Sequence, residues 1–390
     1  MTSPIDIRGA LDAARSADPA AVVDIIDMAA RAIGASDVSA YLVDFEQRFL
    51  EPLPDRSKHA DLAETEEVVS SMAGRAFLTR APVKAERHYR TRVWVPIIEG
   101  SDRTGVLAMT FGSADDDVLA ACLDLGMLAG YLIAAHTRCT DVYQLHRRRK
   151  SMTLAASMQW DLLPPVVLST PQCTIAARLE PAYEVGGDCF DYSLNTPVLD
   201  VALIDSMGHG VLSAMIASLA IGCYRHDRRE GRSLEDMHRS IDDVLSRQLH
   251  GDAFATGQLA QLDLTTGRLS WINAGHPRPL LVRMGRVIKE LEGPPALPWG
   301  LQSEPAVTYQ ESLEPLDAIL FYTDGVTDAA NPDGEEFGID RLIDLTGQCA
   351  SDQLPPEEIL RKIVEGVMQH QGRKARDDAT VMMVQWHDGP

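Results

Sequence analysis

Apolar positions recur at helical spacing through Val22, Ile25, Ile26, Ala29 and Ile33, and Gly34 stands where such a helix would end. Val38, Ala40 and Leu42 then alternate with Ser39 and Tyr41, the period of a strand. An extended piece is expected over 49–53, a helix over 65–79, and strands over 93–98 and 106–111 joined by a turn between Gly100 and Gly105. From Asp115 the pattern turns helical again through Val118, Leu119, Cys122, Leu125, Leu128 and Leu132. Helices enclosing a meander of strands predict an α+β domain over residues 1–138.

Next, Val142, Leu145, Met152, Ala155, Met158 and Leu162 fall on one side of a single connecting helix over 139–165, ended by Pro164 and Pro165. An apolar seam on such a helix suggests pairing with a second copy, a homodimer. The basic run from His146 to Lys150 reads as a solvated face of that helix.

Residues 166–390 give a different rhythm. Strands are expected over 174–179, 199–204, 256–264, 267–273, 280–283, 287–288, 318–322 and 379–386. One helix follows Gly210 with a small-residue face (Ala214, Ser218, Gly222). A second follows Ser233 through Met237, Ile241, Leu245 and Leu249, and two more lie over 339–346 and 356–369. Helices embedded among antiparallel hairpins predict an α+β domain of the α-β-β-α kind, a β-sandwich with helices packed outside.

A chain of 390 residues is long enough for these two domains and the linker between them. The formal charge of −21 argues against nucleic acid or an anionic membrane as the main partner. No run of about 18 uncharged apolar residues occurs, so no membrane span is expected. The first residues carry Asp6, Arg8 and Asp12 and lack the apolar core of a signal peptide. Six cysteines without a CxxC pair suit reduced thiols in a cytoplasmic protein.

The candidate chemistry lies in four acidic turns: Gly186-Gly187-Asp188, Asp205-Ser206-Met207-Gly208-His209-Gly210, Thr323-Asp324-Gly325 and Asp377-Asp378. Any one of them alone is best read as a surface turn. As a group they are different, because Asp205 and Asp324 end expected strands and Asp377 begins one. Strand ends can hold ligands still while leaving them open to solvent. Carboxylates gathered there repel one another unless a cation joins them, and an all-oxygen donor set favours Mg²⁺ or Mn²⁺.

With their surroundings, these turns carry a resemblance. Gly186-Gly187-Asp188-Cys189-Phe190-Asp191-Tyr192, Asp205-Ser206-Met207-Gly208-His209-Gly210, Asn273-Ala274-Gly275-His276-Pro277-Arg278-Pro279-Leu280, Tyr322-Thr323-Asp324-Gly325-Val326-Thr327-Asp328-Ala329 and Asp377-Asp378-Ala379-Thr380 occur in that order. The region is similar to metal-dependent protein phosphatases of the type 2C superfamily, in the SpoIIE/RsbU-like branch. The resemblance implies a serine/threonine phosphatase with two Mn²⁺ or Mg²⁺ ions. Asp188 would bind one ion, Asp205 would bridge both, and the Ser206 carbonyl would complete the first site. Asp324 and Asp377 would hold the second, with Asp378 behind Asp377 or in its place. His209 would either donate a proton to the leaving serine oxygen or simply shape its loop. The usual substrate in this branch is a phosphorylated, STAS-like anti-sigma-factor antagonist. Over the first domain, 74–83, Val95-Pro96-Ile97 and 104–108 resemble a GAF domain, which would bind a small-molecule ligand or serve for dimerisation. Two rivals remain. A cyclase or phosphodiesterase also uses metal-bound aspartates, but the phosphodiesterase would need histidine ligands and no His-Asp cluster occurs. A non-catalytic scaffold that senses a ligand and binds the antagonist is the other.

Overall fold

The structure is a computed structural model and describes residues 6–53, 64–184, 186–249, 253–302, 305–372 and 377–389. The chain divides into two compact units, Met1–Ser151 and Met152–Pro390.

The first unit contains α1 (Ile7–Ser16), α2 (Val22–Ala32), β1 (Asp37–Val43), β2 (Phe49–Pro52), β3 (Glu66–Glu67), α3 (Met72–Thr79), β4 (Val83–Arg87), β5 (Arg90–Glu99), β6 (Asp102–Phe111), α4 (Asp116–Thr137) and α5 (Val142–His146). Its strands form one sheet in the order β3-β2-β1-β6-β5-β4. One face is covered by α1, α2 and α4, through Ile26, Val95, Leu107 and Leu125 among others; the other is covered by α3, through Ala76 and Phe77. The helix expected over 65–79 begins only at Met72. Glu66 and Glu67 pair with β2 instead, and the Ser71 hydroxyl caps α3 by accepting from the Gly74 N–H at 2.9 Å.

Of two further expectations, that of no membrane span meets a borderline helix, and that of a single connecting helix needs correction. By length and composition α4 is apolar enough to cross a membrane. Its apolar residues have another use here: Cys122, Leu125, Ala129, Leu132 and Ile133 are buried against the sheet, as in the core helix of a globular unit. The connector is also not one helix. Helix α5 ends at His146, and the next begins only at Leu154. The basic run between them is not a helix face either: Arg149 and Lys150 stay exposed, but the run is anchored. Arg147 donates to the Val43 carbonyl at 2.9 Å and stacks on Phe45; Arg149 pairs with Glu51 at 2.5 Å and stacks on Phe49; Lys150 pairs with Glu46 at 3.0 Å. These contacts fix the segment on the β1–β2 hairpin and break the helical seam on which pairing of two copies was expected.

The second unit contains α6 (Leu154–Trp160), β7 (Val167–Ser169), β8 (Cys173–Glu180), β9 (Asp188–Asn195), β10 (Val198–Ser206), α7 (Val211–Arg229), α8 (Leu234–Leu249), β11 (Ala255–Asp263), β12 (Arg268–Ala274), β13 (Leu280–Arg283), β14 (Arg286–Glu290), β15 (Tyr309–Ser312), β16 (Ala318–Tyr322), α9 (Asp324–Thr327), α10 (Gly338–Ser351), α11 (Pro356–His370) and β17 (Ala379–Trp386). Two sheets result, β15-β12-β11-β10-β9 and β14-β13-β16-β17-β8-β7, with antiparallel ladders throughout the described strands. Phe190, Leu203, Trp271, Ile319, Phe321 and Met382 fill the space between them. Helices α7 and α8 cover the outer face of the first sheet through Ile216, Ala220, Ile241 and Leu245. Helices α10 and α11 cover the second through Leu342, Leu360, Ile363 and Val367. The layering is helix, sheet, sheet, helix.

Phe190 is completely buried in the inter-sheet core. Phe190→Ala is therefore expected to lower unfolding free energy by about 3–5 kcal/mol, read as a shift of the urea midpoint.

Candidate metal centre

Four segments bring their acidic residues to one end of the sandwich. Asp188 opens β9 and lies directly across from Asp205 near the end of β10. Asp324 stands just beyond β16, and Asp377 and Asp378 immediately precede β17, the neighbour of β16. Asp188 is buried, Asp205 and Asp378 are half-buried, and Asp324 and Asp377 are exposed. The cluster thus runs from a dry floor to an open mouth.

Each position is held from behind. The Asp188 carboxylate accepts from the Thr323 hydroxyl at 2.8 Å, and that hydroxyl accepts from the Thr380 N–H at 3.0 Å. The Asp378 carboxylate accepts from the N–H groups of Gly186 at 3.0 Å and Gly187 at 2.8 Å, fixing the turn that delivers Asp188. The Ser206 hydroxyl lies 2.7 Å from that of Ser213, whose Oγ also donates to the Ser206 carbonyl at 3.0 Å. This ties the first turn of α7 to the loop after β10. Glycine is required at two places. A Cβ on Gly187 would sit 2.9 Å from the Ser206 carbonyl oxygen, and one on Gly325 would sit 1.8 Å from that of Asp378.

Crowding of like charge dominates the electrostatics. Burial, then Asp205 and Asp378, hold the Asp188 carboxyl well above the usual range. Burial, then Asp324, Asp377 and Asp378, push Asp205 up to about 7. Asp324 is raised by loss of water, then by Asp328 and Asp377. Burial also raises Asp378, against the pull of its backbone hydrogen bonds. Among the described residues no three His, Cys, Asp or Glu side chains close around a single point tightly enough to hold an ion as they stand. The donor set nevertheless fits hard divalent cations: every side-chain donor in the cluster is a carboxylate oxygen, and the excess negative charge that draws protons would draw such ions as well.

His209 is exposed on the loop between β10 and α7. Cys189 is fully buried beside Asp188, and its thiol is pushed up by burial and then by Asp191, which leaves it inert. His276 has a structural place. Its ring Nδ1 lies 2.9 Å from the Thr256 hydroxyl, and its backbone exchanges two 2.7 Å hydrogen bonds with the Asn273 side chain. Thr256 in turn pairs across the ladder with Asp205, so His276 braces the strand behind the cluster. Sequence reasoning missed Thr323 and Ser213. Thr323 adjoins Asp324 in its motif, but nothing in the sequence marked either hydroxyl. It also passed over Asp191, which accepts from both Arg225 and Arg228.

Residues 198–387 match the family model for Stage II sporulation protein E (SpoIIE). Over these residues the second unit is similar to a SpoIIE-type domain. Phosphoserine phosphatase RsbU of Bacillus subtilis is 21% identical over 239 residues, covering 60% of this chain and 70% of RsbU. Protein IcfG of Synechocystis sp. is 27% identical over 268 residues, covering 60% of this chain but 41% of IcfG. Among solved structures, the RsbU and RsbW domains of Rv1364c from Mycobacterium tuberculosis align with a TM-score of 0.51 at 27% identity, over 58% of this chain and 64% of that one. The SiaA-PP2C domain of Pseudomonas aeruginosa shares the fold, at TM-score 0.51 and 22% identity over 59% of this chain and 94% of its own.

Burial lowers the His276 imidazole to about 3. A free histidine titrates near 6.5, so the unfolded chain takes up a proton that the native state refuses. The stability this neutral ring secures is fully present above pH 6.5. It drains as pH falls toward 3, by at most about 1.4 kcal/mol per pH unit. In His276→Gln the urea midpoint should drop less between pH 7.5 and pH 5 than in the parent chain. Equal drops in the two proteins would remove His276 as the cause.

Proposed function

We propose that this chain is a metal-dependent phosphoprotein phosphatase acting on phosphoserine or phosphothreonine. The observation that carries the reading is the convergence of Asp188, Asp205, Asp324 and Asp377 from four distant segments onto one end of a SpoIIE-type sandwich. Asp188 and Asp205 would hold one divalent cation together with the Ser206 carbonyl, and Asp205, Asp324 and Asp377 a second, Mn²⁺ or Mg²⁺. Two such ions supply charge neutralisation at the phosphoryl group and an activated water.

The chain's own groups do the positioning. Thr323 orients the Asp188 carboxylate through its 2.8 Å hydrogen bond. Asp378, engaged with the Gly186–Gly187 turn, acts as the support behind Asp377 rather than as a ligand. His209, on the exposed loop beside Asp205, is the candidate proton donor to the leaving oxygen. No side-chain nucleophile is needed, and Cys189 is too buried to serve as one.

The substrate in this reading is a phosphorylated anti-sigma-factor antagonist of the STAS kind, since RsbU, named a phosphoserine phosphatase, aligns across the region. The first unit, a helix-covered antiparallel sheet with a GAF-like sequence, would regulate the second by binding a small ligand or a second copy of the chain. The reaction would take place in the cytoplasm, with no role for nucleic acid or a membrane.

Release of p-nitrophenol from para-nitrophenyl phosphate tests the reading. Activity is expected with Mn²⁺, lost with EDTA and restored by added Mn²⁺. Asp205→Ala should lower kcat/KM by about 10³-fold, roughly 4 kcal/mol of transition-state stabilisation. If the parent and Asp205→Ala are equally inactive with metal, while both still bind the antagonist, the chain is a scaffold instead.

A further inference from the structure

The end of α7 gathers positive charge in a chain whose net charge is −21. Arg225 and Arg228 share one buried carboxylate. Asp191 accepts from Arg225 at 3.0 and 2.8 Å and from Arg228 at 2.9 Å. Arg232, in the turn that follows, reaches Asp227 and the Ser240 hydroxyl only at 3.4 Å each. Arg229 is exposed and makes no hydrogen bond or ion pair among the described residues. Arg229 and Arg232 are therefore the guanidiniums least engaged by the neighbouring carboxylates.

A cavity of about 620 Å³ opens beside these side chains, between the β9–β10 hairpin, β11 and the α7–α8 turn. Arg228, Arg229 and Arg232 line it together with Asp200, Gln261 and Met237. Asp200 is buried, and its carboxylate accepts from the Gln261 amide at 2.8 Å. The volume lies within the usual range for small-molecule sites, about 300–1,000 Å³. The cavity is separate from the carboxylate cluster. Asp200 and Asp205 are five residues apart along extended β10, roughly 16 Å at about 3.3 Å per residue. Helix α7 spans the two places: its first turn is tied to Ser206 through Ser213, and its last turn carries the arginines.

The lining groups divide the chemistry. Guanidinium forks match phosphate oxygens in paired hydrogen bonds, and Arg229 and Arg232 are the least committed of the three. Asp200 and Gln261 offer acceptors to hydroxyl and amino donors, while Met237, buried in the core beneath, only closes the floor. A ligand that uses all of these carries phosphates together with hydroxyl and amino donors in one molecule. We propose that this cavity binds a nucleoside phosphate, with its phosphates on Arg229 and Arg232 and the hydroxyl and amino groups of its nucleoside on Asp200 and Gln261.

Calorimetric titration of the full chain tests this with ATP, adenosine and inorganic pyrophosphate as probes. EDTA and Asp205→Asn remove the phosphatase centre as a competing phosphate site. ATP is expected to bind, adenosine and pyrophosphate each at least about tenfold more weakly. The double variant Arg229→Ala/Arg232→Ala, made on both backgrounds, should weaken ATP at least about tenfold. On the Asp205 background it should retain the parent thermal midpoint and Mn²⁺-dependent turnover, which shows that it folds. Absence of ATP binding overturns the proposal, as does equal binding by the double variant. Adenosine binding as tightly as ATP would show that phosphate is not read; pyrophosphate doing so would show that the nucleoside is not. Either result rejects the assigned class. Loss of phosphatase activity in the parent leaves this binding test intact, so the two readings fail separately.

Discussion

Five aspartates at one end of a β-sandwich repel one another, and the rest of the second unit is built to withstand that repulsion. Asp188 and Asp205 face each other across adjacent strands, a register that would be unfavourable for two isolated carboxylates. What holds them is the stiffness behind them: a dry core between two sheets, helices over both outer faces, and a back row of hydroxyls and amides. Thr323, Ser213 and the Gly186–Gly187 N–H groups bring no negative charge to the cluster, yet each fixes a part that would otherwise move away. The strain in apparent proton affinity is what a cation would relieve, so binding of metal and rigidity of the end would reinforce each other.

Much of the second unit could be read in the sequence because its signals are local. The apolar run before Asp205 and the one before Asp324 each name a strand and the residue at its exit, and both strands are where the pattern put them. The helix after Gly210 was equally plain. The supporting contacts were not legible, because they depend on which strands become neighbours. Thr323 meets Asp188 only because β16 ends beside the start of β9 in the facing sheet, and no spacing along the chain encodes that. Likewise, Asp378 looks in sequence like a twin of Asp377. Only the fold shows that its carboxylate is engaged by backbone N–H groups from nearly two hundred residues earlier.

The connector failed as a sequence reading for an instructive reason. Helical periodicity across 142–162 is real, but propensity is a weak prior that tertiary contacts override. Arg147, Arg149 and Lys150 find two aromatic rings and two glutamates on the β1–β2 hairpin, and those partners outweigh a turn or two of exposed helix. A run of positive charge looked like an unpaired helix face because its acidic and aromatic counterparts lie about a hundred residues away in sequence.

The place of β17 has a consequence for the birth of the protein. This strand lies inside its sheet, between β16 and β8, and β8 is the second strand of the unit to be synthesised. Until residues 379–386 have left the ribosome, β8 has no partner on that side, the inter-sheet core lacks Met382 and Val384, and the pair Asp377–Asp378 has not been delivered. The unit cannot mature piecemeal behind an advancing ribosome, because its earliest and latest strands must find each other before either is buried. A nascent chain would thus carry most of the acidic turns for some time without the ability to act. Hydrolytic competence would arrive in one step, with closure of the sheet.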